Sequence, residues 1–251
     1  MQRRYHRVRL RHIVMRILMP GLQQFLPVVL VRSLLFYVLA GVAAVPFLLC
    51  WPALRGPRRT VYAIVDRYLR VLLWLLRRVC GIQLRLEGRD SLPEGPVLIA
   101  SQHESTWETL FFQVLFDHPV MYAKAPIFYY PVFGPVVRKF GHIPVTAGAS
   151  ADAMRAGFRA GAAAAKDGRS LVIFPSGTRR QEAHALQAGV GVLYQLAGVP
   201  AVPVRLNSGA VWPHGSWLKF PGTVELQIGP PIEAGLDRRD FMQILSGYLA
   251  D

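Results

Sequence analysis

A run of 22 residues without a charged side chain, from Ser33 to Leu54, constrains the N-terminal part of this chain more than any other feature. About 20 consecutive apolar residues are enough for a helix to cross a bilayer. Both flanks are basic, because residues 1–59 contain ten arginines and no Asp or Glu, so the positive-inside bias gives no clear orientation. Pro46 and Pro52 would also break the last turns of a straight span. We therefore predict a helical hairpin that dips into one leaflet and returns.

The next segment, Thr60–Val79, has the pattern of an amphipathic helix. Its apolar positions are Val61, Ile64, Val65, Tyr68, Leu72, Leu75 and Leu76, and its arginines are Arg67, Arg70, Arg77 and Arg78. Arginines at an anionic lipid surface contribute about 1 kcal/mol of attraction each. A buried core helix and, for residues 1–16, an organelle transit peptide are the alternatives for this end of the chain; a cleavable secretory signal is not expected. We predict membrane-association helices in residues 1–80 and a second domain in residues 81–251.

The net charge of +14 comes mainly from the N-terminal end, since residues 60–251 hold nineteen basic and fifteen acidic side chains. A nucleic-acid partner is disfavoured because the arginines border an apolar segment instead of alternating with exposed aromatic residues. The two cysteines are far from any metal-ligand or disulfide spacing, which excludes a disulfide scaffold and a thiolate zinc site. The motifs of ATP-binding loops, dinucleotide binding, serine hydrolases and zinc proteases are also missing from the sequence.

Beyond Gly81 the sequence changes to short apolar runs separated by turns and helical stretches. Strands are predicted at Gln83–Glu87, Val97–Ala100, Val120–Ala123, His142–Val145, Leu171–Phe174, Ala201–Arg205 and Val224–Ile228. Helices are predicted at Thr106–Asp117, Phe133–Phe140, Ala151–Lys166, Gly189–Gly198 and Arg238–Leu249. Because strands and helices alternate, we predict an α/β fold with a mostly parallel sheet flanked by helices. Reactive residues in such sheets cluster beyond the carboxyl ends of strands.

A histidine follows the second predicted strand, in the loop Ser101-Gln102-His103-Glu104-Ser105-Thr106-Trp107-Glu108. His103 can act as a base while Glu108 fixes its tautomer and stabilises the imidazolium. Residues five apart do not share a helix face, so this pair requires His103 before the helix and Glu108 within its first turns. Ser105 and Glu108 also form an S-x-x-E capping box, so Glu108 is equally interpretable as a helix cap. The two roles do not exclude each other.

A second polar block, Phe174-Pro175-Ser176-Gly177-Thr178-Arg179-Arg180, also lies at a strand end. Its glycine permits a tight turn, its threonine offers a hydroxyl, and its two guanidinium groups can bind an anion such as a phosphate. The alternative is a polar turn with solvated arginines. Two further blocks, Gly141-His142-Ile143-Pro144-Val145 and Gly198-Val199-Pro200-Ala201-Val202-Pro203-Val204, are typical of structural positions when taken alone.

Taken together, these four blocks resemble the glycerolipid acyltransferase family in their order and spacing. His103 to Glu108 matches the H-x4-E form of the family's first motif, and Gly141, Ile143 and Val145 match its G-x-I-x-V block. Phe174–Arg179 nearly matches F-P-E-G-T-R, and Val199–Pro203 is similar to the fourth block. The segment Leu206-Asn207-Ser208-Gly209 is also similar to the bacterial subset. The resemblance covers about residues 80–233.

The resemblance implies transfer of a fatty acyl group from acyl-CoA or acyl carrier protein to a lysophospholipid hydroxyl, as in the conversion of 1-acyl-sn-glycerol-3-phosphate to phosphatidate. It implies that His103 is the general base, that Glu108 orients it, and that Arg179, with Thr178 and Gly177, binds the acceptor phosphate. No metal and no bound cofactor are implied. We expect the catalytic domain to face the cytoplasm from the inner membrane, with membrane lipids as its partners.

Three positions depart from the family pattern: Ala147 replaces an Arg, Ser176 replaces the Glu of E-G-T-R, and Gln187 replaces a Lys. Losing a charged phosphate contact at a desolvated site costs about 2–5 kcal/mol. One hypothesis is that nearby cations have taken over the phosphate, with Lys124, Arg138, Lys139 and Arg180 as candidates. Another is an acceptor without a phosphomonoester, such as a lyso-aminolipid. A catalytically impaired, membrane-binding relative is the third.

Overall fold

Seven strands form one sheet in the computed structural model, which describes residues 20–146, 148–177 and 186–250. The strands are β1 (Ile82–Glu87), β2 (Leu98–Ser101), β3 (Val120–Lys124), β4 (Ile143–Val145), β5 (Leu171–Ile173), β6 (Ala201–Leu206) and β7 (Gly222–Ile228). Their order is β1-β7-β6-β2-β5-β3-β4. The five strands from β6 to β4 are parallel, whereas β7 is antiparallel to β6 and pairs in parallel with β1. The mostly parallel sheet predicted from the sequence is confirmed.

Helices cover the sheet, and the predicted ones are all present with ends within two residues of the prediction. The α-helices of the described residues are α1 (Pro20–Leu49), α2 (Arg58–Arg78), α3 (Trp107–Leu115), α4 (Phe133–Lys139), α5 (Ala151–Lys166), α6 (Gly189–Ala197), α7 (Ser208–Val211) and α8 (Arg238–Ala250). The continuous helix α1 and the short helix α7 were not predicted.

The alternation of side chains along the central strands divides the core into two parts. In β2, Ile99 belongs to the cluster that includes residues of α1, α2 and α3. Its neighbours Leu98 and Ala100 belong to the other cluster, with residues of α5, α6 and α8. Because successive side chains of a strand point to opposite faces, the sheet forms the middle layer between two helical layers.

The first two helices form an antiparallel hairpin. The Tyr68 hydroxyl donates to the Ala40 carbonyl at 3.3 Å, and the Cys80 thiol lies 4.0 Å from the Arg32 carbonyl, so late residues of α2 face early residues of α1. The structure contains a hairpin, but α1 and α2 form its two arms, whereas the prediction placed the whole hairpin in the uncharged segment Ser33–Leu54. The apolar run continues as one helix through Pro46 to Leu49, and the chain reverses in a 3₁₀ turn at Trp51–Arg55.

The position of this turn has a simple physical reason. Pro46 lies in the last turn of α1, so its missing N–H removes only one hydrogen bond, and the Cys50 N–H still donates to the Pro46 carbonyl at 3.1 Å. The segment Phe25–Leu49 has a mean hydropathy of 2.3 and is long and apolar enough to cross a membrane by length and composition alone. Helix α2 contributes Leu72 and Leu76 to the same core cluster as the strands. The predicted division of the chain into two domains at residue 80 stays a prediction.

A buried lysine joins α1 to the rest of the molecule. Lys219, in the connection between β6 and β7, is fully buried, and its Nζ donates to the Tyr37 hydroxyl at 2.7 Å and to the Trp217 carbonyl at 2.9 Å. The same Nζ lies 4.0 Å from the ring centroid of Trp212 and 3.9 Å from that of Tyr37. The Lys219 N–H also donates to the Ser33 hydroxyl at 2.9 Å. Burial lowers the pKa of Lys219 to about 8, while aromatic faces and two acceptors stabilise its charged form.

We predict that Lys219→Ala weakens the attachment of α1, because it removes the contacts of the ammonium group and leaves a cavity among aromatic rings. The free energy of unfolding should fall by about 2–4 kcal/mol, measured by chemical denaturation of the full chain in detergent. Lys166→Ala at an exposed position on α5 is the matched control and should change stability by less than about 0.5 kcal/mol. Equal stability of the two variants would contradict this role of Lys219.

Candidate active site

His103 and Glu108 meet at the carboxyl end of β2. The strand ends at Ser101, residues 102–106 form a loop, and α3 begins at Trp107. His103 therefore precedes the helix while Glu108 lies in its first turn, which is the arrangement that the five-residue spacing requires. The Nδ1 atom of His103 is 2.8 Å from Oε1 of Glu108. The structure thus brings together the two residues on which the sequence prediction depended.

The Glu108 carboxylate is fully buried and accepts several hydrogen bonds. Its Oε1 accepts from the backbone N–H groups of Glu104 at 2.9 Å and Ser105 at 2.8 Å, and its Oε2 accepts from the Ser208 hydroxyl at 2.6 Å. A buried carboxylate is stable only when such donors replace its lost hydration. Three of the donors belong to the loop after β2: the His103 imidazole and the two backbone N–H groups. The fourth, the Ser208 hydroxyl, follows β6.

The capping box is also present. The Ser105 hydroxyl accepts from the Trp107 N–H at 2.9 Å while the Glu108 side chain accepts from the Ser105 N–H. One carboxylate therefore caps the start of α3 and contacts His103 at the same time. The same carboxylate oxygen accepts from two backbone N–H groups and contacts the imidazole, so the geometry is compatible with both interpretations of Glu108.

The contact with Glu108 determines which nitrogen of His103 can take up a proton. A carboxylate is an acceptor only, so it favours the tautomer with hydrogen on Nδ1. Nε2 is then the basic nitrogen. The His103 ring stacks on Phe174, with 3.8 Å between ring centroids and 17° between the planes. Since Phe174 follows β5, this contact brings the second polar block beside the histidine.

Side chains that the sequence analysis did not assign hold the loop against β6. The Gln102 amide donates to the Leu249 carbonyl and accepts from the Leu206 N–H, both at 3.0 Å. The Gly209 N–H donates to Glu104 Oε2 at 2.9 Å. Burial raises the pKa of Glu104, the Gly209 N–H opposes this rise, and the Glu108 charge adds to it. One feature of the sequence could have indicated these contacts. The polar segment that begins at Asn207 follows β6 at the same edge of the sheet at which His103 follows β2.

The second block makes a tight turn beside Phe174. The Gly177 N–H donates to the Phe174 carbonyl at 2.9 Å, and Gly177 has a φ of +65°, which favours glycine. Gln187 lies against this turn: its N–H donates to Pro175 at 2.8 Å and its side-chain amide lies 3.4 Å from the Ser176 carbonyl. A Cβ atom on Gly177 would collide with the Gln187 side chain. Thr178, Arg179, Arg180 and Ala147 lie outside the described residues.

The remaining candidates lie at a greater distance in the sheet or are engaged elsewhere. Lys124 ends β3, which is two strands from β2 on the same edge, and is exposed. Arg138 donates to the Phe128 carbonyl at 2.5 Å. His142 Nδ1 accepts from the Met121 N–H at 3.2 Å, and burial lowers its pKa to about 4, as befits a structural histidine. Within the described part of the chain, no group of three or more His, Cys, Asp or Glu side chains could hold a metal ion.

Comparison with known proteins identifies relatives along most of the chain. The acyltransferase family model matches residues 83–207. A curated 1-acyl-sn-glycerol-3-phosphate acyltransferase from Pseudomonas aeruginosa is 33% identical over 213 residues, which is 81% of this chain and 81% of that protein. A protein of the same name from Limnanthes douglasii is 25% identical over 189 residues, covering 74% of this chain and 65% of its own length.

A solved structure has the same fold. The crystal structure of the 1-acyl-sn-glycerophosphate (LPA) acyltransferase PlsC from Thermotoga maritima superimposes with a TM-score of 0.68. The match covers 88% of this chain and 96% of that chain at 18% sequence identity.

We predict that Ser208→Ala destabilises the carboxylate of Glu108, since a buried charge loses a donor at 2.6 Å. The free energy of unfolding should fall by about 1–3 kcal/mol. Chemical denaturation of the full chain measures the effect. Ser246→Ala, at an exposed position of α8, is the control, and equal stability of the two variants would contradict the prediction.

Proposed function

The chain belongs to the acyltransferase family and acts as an O-acyltransferase, and we propose that it acylates the free hydroxyl of 1-acyl-sn-glycerol-3-phosphate to give phosphatidate. The name of the Pseudomonas aeruginosa relative supports this acceptor. The observation that carries the proposal is the 2.8 Å contact between His103 Nδ1 and a fully buried Glu108. A base oriented by an acceptor-only carboxylate is suited to activating a hydroxyl group.

In the proposed reaction, His103 Nε2 takes the proton of the acceptor hydroxyl while the oxygen attacks the carbonyl carbon of an acyl thioester. The new C–O bond gives a tetrahedral oxyanion, which collapses as the C–S bond breaks. The imidazolium returns its proton to the departing thiolate, so that a free thiol leaves. Glu108 stays ionised throughout and stabilises the imidazolium. Acyl-CoA or acyl carrier protein supplies the thioester, and the step needs no metal or bound cofactor because the thiolate is already a good leaving group.

The acceptor phosphate is proposed to bind at the turn that contains Ser176 and Gly177, with Thr178 and Arg179 as its main ligands. Support comes from the stacking of Phe174 on His103, since it holds this turn beside the base. Lys124, which lies on the same edge of the sheet, and Arg180 are further cations for this role.

Two of the departures from the family pattern are neighbours in space. Where the family has Glu and Lys, this chain has Ser176 and Gln187, and the Gln187 side chain lies against the Ser176–Gly177 backbone. A carboxylate and an ammonium together carry no net charge. Replacing both with neutral residues therefore leaves the charge of this turn unchanged. This favours a phosphate-bearing acceptor over a lyso-aminolipid.

Membrane association is proposed for the hairpin of α1 and α2, at the inner membrane and with the catalytic part toward the cytoplasm. Both acceptor and product are membrane lipids, and α1 exposes apolar side chains such as Leu34, Val38 and Val42 along its length. An open pocket of about 400 Å³ is lined mainly by residues 212–217, with Tyr37 of α1 and Thr106 at its border.

We predict that His103→Ala and Glu108→Gln each lower acyl transfer to lysophosphatidate by about 10²–10⁴-fold, because the base or its orienting carboxylate is lost. Purified membranes are offered labelled acyl-CoA or acyl carrier protein, with lysophosphatidate and a lyso-aminolipid as acceptors. Glu94→Gln, an exposed position between β1 and β2, should retain wild-type activity. Transfer only to the lyso-aminolipid would contradict the proposed acceptor. If the wild type transferred the acyl group to none of the acceptors, the result would favour a membrane-binding relative without activity.

We predict that Ser176→Glu alone raises the KM for lysophosphatidate roughly tenfold or more, because an uncompensated carboxylate then faces the phosphate. Adding Gln187→Lys should restore most of the lost affinity by pairing with the new carboxylate. Initial rates of the two single variants and the double variant give the coupling between the positions. A double variant no better than Ser176→Glu would show that these side chains do not compensate each other.

A further inference from the structure

A group of exposed apolar side chains follows β3. All five residues of Tyr129–Phe133 are exposed, and the large ones among them have exposed fractions of 82% at Tyr129, 54% at Tyr130, 41% at Val132 and 59% at Phe133. Among the described residues beyond Gly81, the other exposed large apolar side chains occur singly, as at Met154 and Ile244. Single exposed apolar residues are normal, whereas a contiguous group indicates an interaction surface.

The backbone beneath this group is held in place. Residues Ala125–Tyr129 form a 3₁₀ turn with a proline in its first positions, and Phe128 is buried under it. The Phe128 carbonyl accepts from Arg138, and Gly134 packs so closely on the same carbonyl that a Cβ atom would collide with it. The aromatic side chains therefore lie on a defined surface, the aromatic ledge (Tyr129–Phe133).

The helix that follows the aromatic ledge contacts the end of the N-terminal hairpin. Helix α4, which begins at Phe133, contacts both the 3₁₀ turn Trp51–Arg55 and α2. Just after α4, the ring of Phe140 packs on that of Tyr62 in α2, with 4.5 Å between centroids. The hairpin turn carries Arg55, and Arg58 and Arg59 follow it. Helix α4 thus connects the apolar ledge to a basic turn.

We propose that the aromatic ledge is a second membrane contact, in which Tyr129, Tyr130 and Phe133 enter the headgroup region of an anionic bilayer beside the hairpin. The inference rests on the membrane association proposed above. Tyrosine prefers the interface because its ring is apolar and its hydroxyl stays hydrated, and the neighbouring arginines attract anionic lipid. Since the ledge follows the carboxyl end of β3, this contact holds the edge of the sheet that carries His103 close to the bilayer.

The test places one fluorescent probe at a time on the full chain. Tyr129→Cys on the ledge, Val42→Cys on α1 and Met154→Cys on α5 are made in a Cys50→Ser background and labelled with a nitrobenzoxadiazole dye. Cys80 stays unlabelled because it is buried and burial raises its pKa to about 11. Each protein is reconstituted into vesicles of phosphatidylcholine and phosphatidylglycerol, with and without a doxyl-labelled lipid that quenches the dye within the bilayer.

We expect loss of fluorescence at positions 42 and 129 and unchanged fluorescence at position 154. Quenching at position 42 alone would overturn the ledge contact and leave the membrane association of the hairpin intact. The absence of quenching at both positions would overturn both proposals. Quenching at all three would show unspecific adsorption and would also overturn the inference. Finally, a spectral change at position 129 on adding acyl carrier protein, without quenching in vesicles, would assign the ledge to a protein partner instead.

Discussion

The buried carboxylate of Glu108 is the group on which the arrangement of the site depends. An ionised carboxylate removed from water is tolerated only when donors replace its hydration, and here the donors are His103, two backbone N–H groups and the Ser208 hydroxyl. These donors belong to the loop after β2 and to the start of α7 after β6. The carboxylate therefore forces both segments to converge at one edge of the sheet, and the orientation of the imidazole follows from the same requirement.

A second buried charge, the ammonium group of Lys219, has the opposite sign. It lies in the connection between β6 and β7, which also contains Ser208. Ser208 contacts Glu108 near the start of this connection, and Lys219 contacts Tyr37 and the Ser33 hydroxyl near its end. One segment thus links the loop that contains His103 to α1. Each charge is stabilised by side chains that are distant in sequence, so neither the site nor the position of the apolar helix is independent of the other. This link fixes the position of His103 relative to α1.

The departures from the family pattern have a different meaning once their positions are known. Counted along the chain, Ser176 and Gln187 are two separate losses of charged groups. In space they adjoin each other at the turn with Gly177, so they are interpretable as one exchange of a charged pair for a neutral pair. Such an exchange keeps the local net charge and avoids the cost of desolvating two ions.

The sequence by itself determined the strands, most of the helices and the pairing of His103 with Glu108, because those features depend on local apolar periodicity and on a spacing of five residues. It also indicated a hairpin, but not its turn at Trp51–Arg55, since one proline near the end of a helix removes only a single hydrogen bond. Only the tertiary structure decided the roles of Ser208, Gln102 and Lys219. Their partners lie up to 186 residues away, and a contact across that distance leaves no periodic pattern in the chain. Burial of polar and charged groups selected those partners, and burial is a property of the folded molecule.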